Sequence, residues 1–261
     1  MLTSWVALAD VRRPHRLMER SALVTRRSWP VFVSGFFEPF FYLLAIQIGF
    51  GVLVGRVDFG GRSVEYATFV APALMAAAAM NGAIYDTTMN VFYKLRYARL
   101  YDAVLATPLS PGDVAMGEIG WAVVRGTAYA IAFAVAMAVL GLVESAWIII
   151  AIPFCALVAF AFASVGMAVT SYLRSWADFE FIPAVQLPLF LFSATFFPLS
   201  LYGPWSWVVQ LSPLYHGVAL VRMAAFGEFG ALAVVHLAVL ATLAIVGLAV
   251  TARRLRTMLL V

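Results

Sequence analysis

Apolar residues run through this chain in long blocks separated by short polar breaks. Six blocks read as membrane helices: residues 31–54, 66–92, 114–141, 146–172, 181–198 and 231–252. Each has the length of about 20 residues that crossing a bilayer core requires. The alternating ten-residue segments of an outer-membrane barrel are absent, so the pattern predicts an all-α polytopic membrane protein with six transmembrane helices. Two stretches do not read as spans. In residues 1–30, Trp5, Val6, Leu8, Ala9, Val11, Leu17, Leu23 and Val24 alternate with arginines, which predicts an amphipathic helix in the membrane interface, with a break at Pro14. A disordered basic tail is the alternative. Residues 203–227 are aromatic and broken by prolines.

A polar island, "LYDAVLATPLSPGDVAMGE" (Leu100–Glu118), separates the second and third blocks. Tyr101, Val104 and Leu105 fall at i, i+3 and i+4 and give a short helix one apolar face. Asp102 suits the start of that helix, and Pro108 stops it. Ser110 is placed to cap the next helix, with Pro111 in its first position and Asp113 in its first turn. A loop that only joined two spans would need no such order. The island is predicted to be a rigid peg whose apolar face fits a partner's groove, or else a surface hairpin with no partner.

Composition sharpens the picture. The chain has 261 residues, 64% hydrophobic and 11% charged, against roughly 25% charged in soluble domains. The net charge of +4 is a topology signal. With the N-terminus inside, thirteen Lys and Arg residues fall in cytoplasmic segments and three, Arg56, Arg62 and Arg222, in outer ones. Both termini are then cytoplasmic, and the basic residues face anionic lipid headgroups rather than nucleic acid. The first thirty residues hold six arginines and no apolar core, so no cleavable signal peptide is expected. Cys155 sits in an apolar run as packing. His15, His216 and His236 are scattered, and no pair has metal-ligand spacing.

The chain has one lysine, Lys94, and no glycine precedes it as a phosphate-binding P-loop requires. No other catalytic constellation appears, and no enzyme is expected in this chain. Ionisable residues inside spans are the remaining candidates. Glu38 precedes Pro39 in the first span. Asp86 lies near the inner end of the second. Glu118 and Arg125, seven apart, share one face of the third. Asp86 is a candidate partner for Arg125 or Arg99, and Asp86, Glu118 and Arg125 form either a polar relay or static glue between helices. The small residues of Ala76–Ala83 permit close packing, and Asn81 can add an interhelical hydrogen bond. Phe190, Phe192, Phe196 and Phe197 make the fifth block aromatic, with Gln186, Ser193 and Thr195 as its polar positions. Tyr202, Trp205, Trp207 and Tyr215 fit an outer interfacial belt.

Three stretches carry a resemblance: "YATFVAPALMAAAAMNGAIYD" (Tyr66–Asp86), "LYDAVLATPLSPGDVAMGEIGW" (Leu100–Trp121) and "FSATFFPLSLYGPWSWVVQLSPLYHGVALVR" (Phe192–Arg222). In this order they resemble permease subunits of type-2 ABC exporters, above all nodulation-type permeases that export lipo-chitooligosaccharides and related antibiotic-resistance permeases. The likeness extends over almost the whole chain. It implies an ATPase-docking coupling helix at about 100–109, with Tyr101, Asp102, Leu105, Ala106, Thr107, Pro108 and Leu109 as contacts. Arg12 and Arg13 of the N-terminal helix join them. It implies outer re-entrant helices at about 203–227, with Pro198, Pro213 and His216 at an outer gate. The path would be lined by Asn81, Gln186, Phe190, Phe196 and Phe197, with Glu38 beside it. The tight Leu199–Tyr202 turn departs from some nodulation-type relatives.

The domain organisation expected is an interfacial segment, 1–30, and a transmembrane domain, 31–261. The expected role is the inner-membrane permease of a bacterial ATP-driven exporter for an amphipathic lipid-like, glycolipid or drug-like molecule. The resemblance implies two separate ATPase subunits, which bind the ATP and Mg that this chain does not, and a second permease, identical or related. A polysaccharide or lipid-linked glycan exporter is the nearest alternative. A proton-coupled carrier, using Glu38, is a third reading, and a membrane enzyme the least supported.

Overall fold

The computed structural model describes residues 12–27 and 29–259, without the side chains of Arg12, residues 31–36, Glu38, Pro39 and Leu259. Helix α1 (Arg12–Arg27) is amphipathic. Helix α2 begins as Trp29–Ala45, passes through a π-helical turn at Ile46–Phe50 and ends with Gly51–Val54. Helix α3 (Tyr66–Arg96) has its own π turn at Asp86–Asn90. The short α4 (Leu100–Leu105) occupies the polar island, and α5 (Pro111–Val139) follows. Then come α6 (Ile148–Thr170), a 3₁₀ turn at Trp176–Glu180, and α7 (Phe181–Leu191). A second 3₁₀ segment, Leu199–Trp205, leads into α8 (Ser206–Leu211), α9 (Pro213–Phe226) and α10 (Leu232–Leu259).

Among the described residues four helices, α3, α5, α6 and α10, are long and apolar enough to cross a membrane. Helix α3 is the centre. It packs against α5, α6 and α9, and nearly every side chain from Tyr66 to Ala83 is buried. Its small residues permit this. A Cβ on Gly126 of α5 would lie 2.8 Å from both the Ala79 carbonyl oxygen of α3 and the Ala159 Cβ of α6. The three backbones meet at one crossing that only glycine and alanine can fill.

Two expectations change. The fifth span was expected over 181–198, but α7 stops at Leu191 and none of its residues is buried. At 1.5 Å per residue it is about 16 Å long, roughly half the hydrocarbon thickness. Pro188 cannot donate a backbone hydrogen bond, and Ala194 turns left-handed at φ 54°, so the chain continues irregularly. The all-α expectation also missed a hairpin, β1 (Arg56–Phe59) and β2 (Arg62–Glu65), paired antiparallel with Val57 opposite Val64. Its two-residue turn is Gly60-Gly61, with φ of 61° and 74°. That conformation is what a tight hairpin needs and what glycine supplies.

Helix α1 crosses the start of α5. Leu17 is buried there, and a Cβ on Gly117 would come within 2.8 Å of Leu17 Cβ. Its exposed Leu23 and Val24 fit an interfacial position.

Helices α6 and α10 approach as closely as their backbones allow. A Cβ on Gly247 would lie 2.8 Å from the Ser164 carbonyl carbon and 2.9 Å from the Val165 nitrogen. Gly247→Val is expected to cost about 1–3 kcal/mol through overpacking and to lower the melting temperature in detergent. Gly49→Ala, which has nothing within 4 Å of its new Cβ, should not lower it.

Candidate functional site

The polar island folds as its residues dictate. Ser110 Oγ accepts from the Asp113 backbone N–H at 3.2 Å, and the Ser110 N–H donates to the Asp113 carboxylate at 2.8 Å, a reciprocal cap with Pro111 in the first helical position. Arg99, left-handed at φ 44°, turns the chain into α4.

The apolar face of α4 does not point outward as expected. Tyr101 is buried, and Val104, Leu105 and Leu109 pack against the protein's own core. The exposed face carries Asp102, Ala103, Ala106, Thr107 and Pro108. Beside it Arg16, Leu17 and Arg20 of α1 complete a groove of about 250 Å³ with Ala103, Val104, Thr107 and Leu109. Arg13 lines an adjoining groove with Pro108. Arg12 begins α1, and its side chain lies outside the described residues, as does that of Glu38 in α2.

Tyr101 anchors α4. Its hydroxyl donates to Glu118 Oε1 at 3.0 Å, and Lys94 Nζ donates to Glu118 Oε2 at 2.6 Å. Burial, reinforced by the negative charge of Glu118, holds the Tyr101 phenol well above its ordinary pKa, so it remains a donor. Two turns deeper, Arg125 Nη1 donates to Asp86 Oδ1 at 2.6 Å. Arg125 Nε reaches the Tyr129 hydroxyl at 3.2 Å, and the guanidinium lies over the Tyr85 and Tyr129 rings. Asn90 also donates to Asp86 Oδ1, leaving Oδ2 without a hydrogen bond.

The expected trio of Asp86, Glu118 and Arg125 is therefore divided between two ion pairs. Glu118 and Arg125 do share a face of α5, but each meets a different residue of α3. Lys94, weighed in the sequence as a topology marker and as a P-loop lysine but not as a partner of Glu118, completes the second pair. The π turn between them is pinned from α6: Thr170 Oγ1 donates to the Thr87 carbonyl at 2.7 Å. A π turn disturbs the regular ladder and is often found where a helix serves function.

Farther along α3, Asn81 and Gln186 come together, with Gln186 Nε2 donating to Asn81 Oδ1 at 2.6 Å. This joins the central helix to the exposed α7. Phe190 and Phe196 meet edge to face at 5.2 Å, while Phe197 is 53% exposed. Pro198 precedes the second 3₁₀ segment, and Pro213 opens α9. At the end of α7, Ser193 Oγ lies 2.6 Å from Ser212 Oγ.

The histidines are less scattered than the sequence implied. His216 of α9 and His236 of α10 are both buried, with their Nδ1 atoms 2.8 Å apart. The Gln210 carbonyl, 2.9 Å from His216 Nε2, can only accept. A neutral His216 thus carries its proton on Nε2 and accepts at Nδ1 from the His236 N–H. Arg222 is also buried. Its guanidinium lies 4.0 Å from the Phe69 ring centre and 5.5 Å from that of Phe59, and Nη2 donates to the Ala194 carbonyl at 3.0 Å. Neither His236 nor Arg222 was singled out as a site residue from sequence.

An apolar helical bundle with buried interhelical ion pairs and a polar peg has the features of a polytopic membrane protein, and the family comparison says which kind. Residues 15–226 match the ABC-2 type transporter family model, and the chain belongs to that family. It is similar to proteins named Nodulation protein J. The one from Rhizobium leguminosarum bv. viciae is 29% identical over 97% of this chain and 95% of its own length. The one from Rhizobium meliloti strain 1021 is 29% identical over 86% and 82%, and that from Rhizobium leguminosarum bv. trifolii 33% over 73% and 72%. No solved structure matches. The chain is thus the permease of an ABC exporter, a transport subunit and not itself an enzyme.

Removing one partner of a buried pair strands the other charge. Arg125→Ala should destabilise the protein by about 3–5 kcal/mol, read as a fall in melting temperature in detergent. Asp86→Asn combined with Arg125→Gln should recover much of that loss. A double variant as unstable as the sum of the single ones would show that the two residues act independently.

Proposed function

We propose that this chain is the six-span membrane half of a bacterial inner-membrane exporter for an amphipathic, lipid-like or glycolipid molecule, with both termini in the cytoplasm. Helices α2 and α7, with the irregular residues after α7, supply the two spans beyond the four long apolar helices. Two ATPase subunits, which carry the ATP and Mg, drive it, and a second permease, identical or related, closes the path. The observation that carries this reading is the mounting of α4. Its exposed tip stands beside an arginine-lined groove, while Tyr101 ties its buried face through Glu118 to Lys94 of the central helix. A push on the tip reaches α3 and α5 through short, buried, charge-assisted contacts.

Helix α7 supports the substrate class. Phe181, Val185, Leu187, Leu191 and Phe192 present an open apolar surface, relieved by the Asn81–Gln186 contact. Such a wall suits acyl chains, with a few polar groups to set orientation.

The test is co-purification of a tagged permease with its ATPase after gentle extraction. Ala106→Glu changes the exposed tip alone and is expected to release the ATPase while leaving the permease monodisperse. Leu105→Asp should release it too, but with a lower melting temperature, because Leu105 packs inward. If no ATPase accompanies the wild type, or if Ala106→Glu retains it fully, the proposed docking role of α4 is wrong.

A further inference from the structure

The outer cap contains a cation that no ion pair balances. Arg222 is only 5% exposed, and among the described residues no carboxylate pairs with it. Phe69 and Phe59 cover its face, the Ala194 carbonyl takes one N–H, and Nε has no hydrogen-bond partner. Thr195, the residue after Ala194, is fully buried, and its hydroxyl also lacks a partner. Both groups lie where α7 has come apart and the backbone at Ala194 is left-handed.

Aromatic faces favour a guanidinium but do not satisfy the donors in its plane. An arginine buried in a membrane protein without a counter-charge is costly and marks a functional site. Its planar fork fits the paired oxygens of phosphate, sulfate or carboxylate. The Thr195 hydroxyl adds a donor from the same turn of chain that Arg222 already holds.

We infer that Arg222 and Thr195 form an anion subsite beneath the outer cap, which receives the phosphate, sulfate or carboxylate group of the transported amphiphile. This deepens the exporter reading and rests on it. The subsite is closed in this conformation. The Ser193–Ser212 contact joins the irregular segment to the start of α9, and entry of an anion would require contacts of this kind to part.

The experiment uses the purified permease–ATPase complex in dodecyl maltoside, titrated with decyl phosphate, inorganic phosphate or decanol and followed by thermal shift. Decyl phosphate is expected to raise the melting temperature saturably in the wild type, and decanol is not. A response to inorganic phosphate as strong as to decyl phosphate identifies a general small-anion site. A response to decyl phosphate alone identifies the headgroup of an amphiphile. Both support the subsite, provided that Arg222→Gln weakens binding by about tenfold or more, the loss of a charge-assisted contact. Arg222→Lys should retain part of it. Thr195→Val, which keeps the cation, should weaken binding about threefold and decides the matter if Arg222→Gln does not fold. Equal binding by wild type and Thr195→Val or a folded Arg222→Gln, an equal response to decanol, or no saturable response overturns the subsite. A complex that assembles normally yet gives one of those results overturns the subsite alone. A wild type that brings down no ATPase overturns the exporter reading and the subsite's proposed role with it.

Discussion

The structure turns on two ion pairs of opposite polarity between α3 and α5. Asp86 on α3 meets Arg125 on α5, and Lys94 on α3 meets Glu118 on α5. The helices are antiparallel, so the pairs are successive rungs, about 12 Å apart along α3 at 1.5 Å per residue. Because the sign alternates, sliding one helix by a rung would place Asp86 opposite Glu118, carboxylate against carboxylate. Apolar packing alone defines such a register poorly, since alanine and glycine surfaces tolerate displacement. The charges set the register, and the small residues around Gly126 then fix the separation. A buried pair contributes little net stability over a well-packed apolar pair, so its value here lies in specifying position.

That register makes α4 useful. A short helix on a loop holds its place weakly, yet Tyr101 is almost completely buried. Its hydroxyl adds a third member to the Lys94–Glu118 rung, so α4 is tied to the α3–α5 pair. The π turn at Asp86–Asn90 lies between the rungs on α3. The rungs are thus joined by one uninterrupted α-helix, α5, and one helix with a defect. If α4 takes the stroke proposed for it, α5 links it directly to the Asp86–Arg125 rung, while the π turn gives α3 a place to absorb a change in pitch.

Much of this was legible in the sequence, and the limits have physical reasons. Long apolar blocks located α3, α5, α6 and α10 because the bilayer imposes a length on them. Ser110, Pro111 and Asp113 predicted their own cap because a cap is a local interaction. The spacing of Glu118 and Arg125 gave their common face, but a helical face does not reveal what covers it, and the pairing of Lys94 with Glu118 was not foreseen. The i, i+3, i+4 pattern of α4 was read correctly as an apolar face and turned the wrong way, since periodicity does not distinguish a protein's own core from a partner's groove. The Gly60-Gly61 hairpin carried a readable turn signal between β-branched residues that the surrounding helical pattern obscured. His216 with His236, and Arg222 with Ala194, join distant parts of the chain through tertiary packing, for which a single sequence holds no marker.

The two ends of the bundle follow different electrostatic rules, and the difference follows from what each must do. At the α4 end the buried Asp86 and Glu118 each have an opposite charge at 2.6 Å, and the buried Asp113 is held by the Ser110 N–H and hydroxyl, which favours one arrangement and resists separation. At the capped end the buried polar groups meet neutral partners: a serine with a serine, a histidine with a histidine, and an arginine with a carbonyl and two rings, while the Arg62–Glu228 ion pair there is exposed. Neutral hydrogen bonds are weaker than charge-assisted ones by roughly half. An interface built from them can part without exposing an unpaired ion, except at Arg222, where parting reveals a charge already present. Under the proposed exporter reading, that asymmetry suits rigid motion at the ion-paired end and opening at the neutral one, where α7 has already given up its helix.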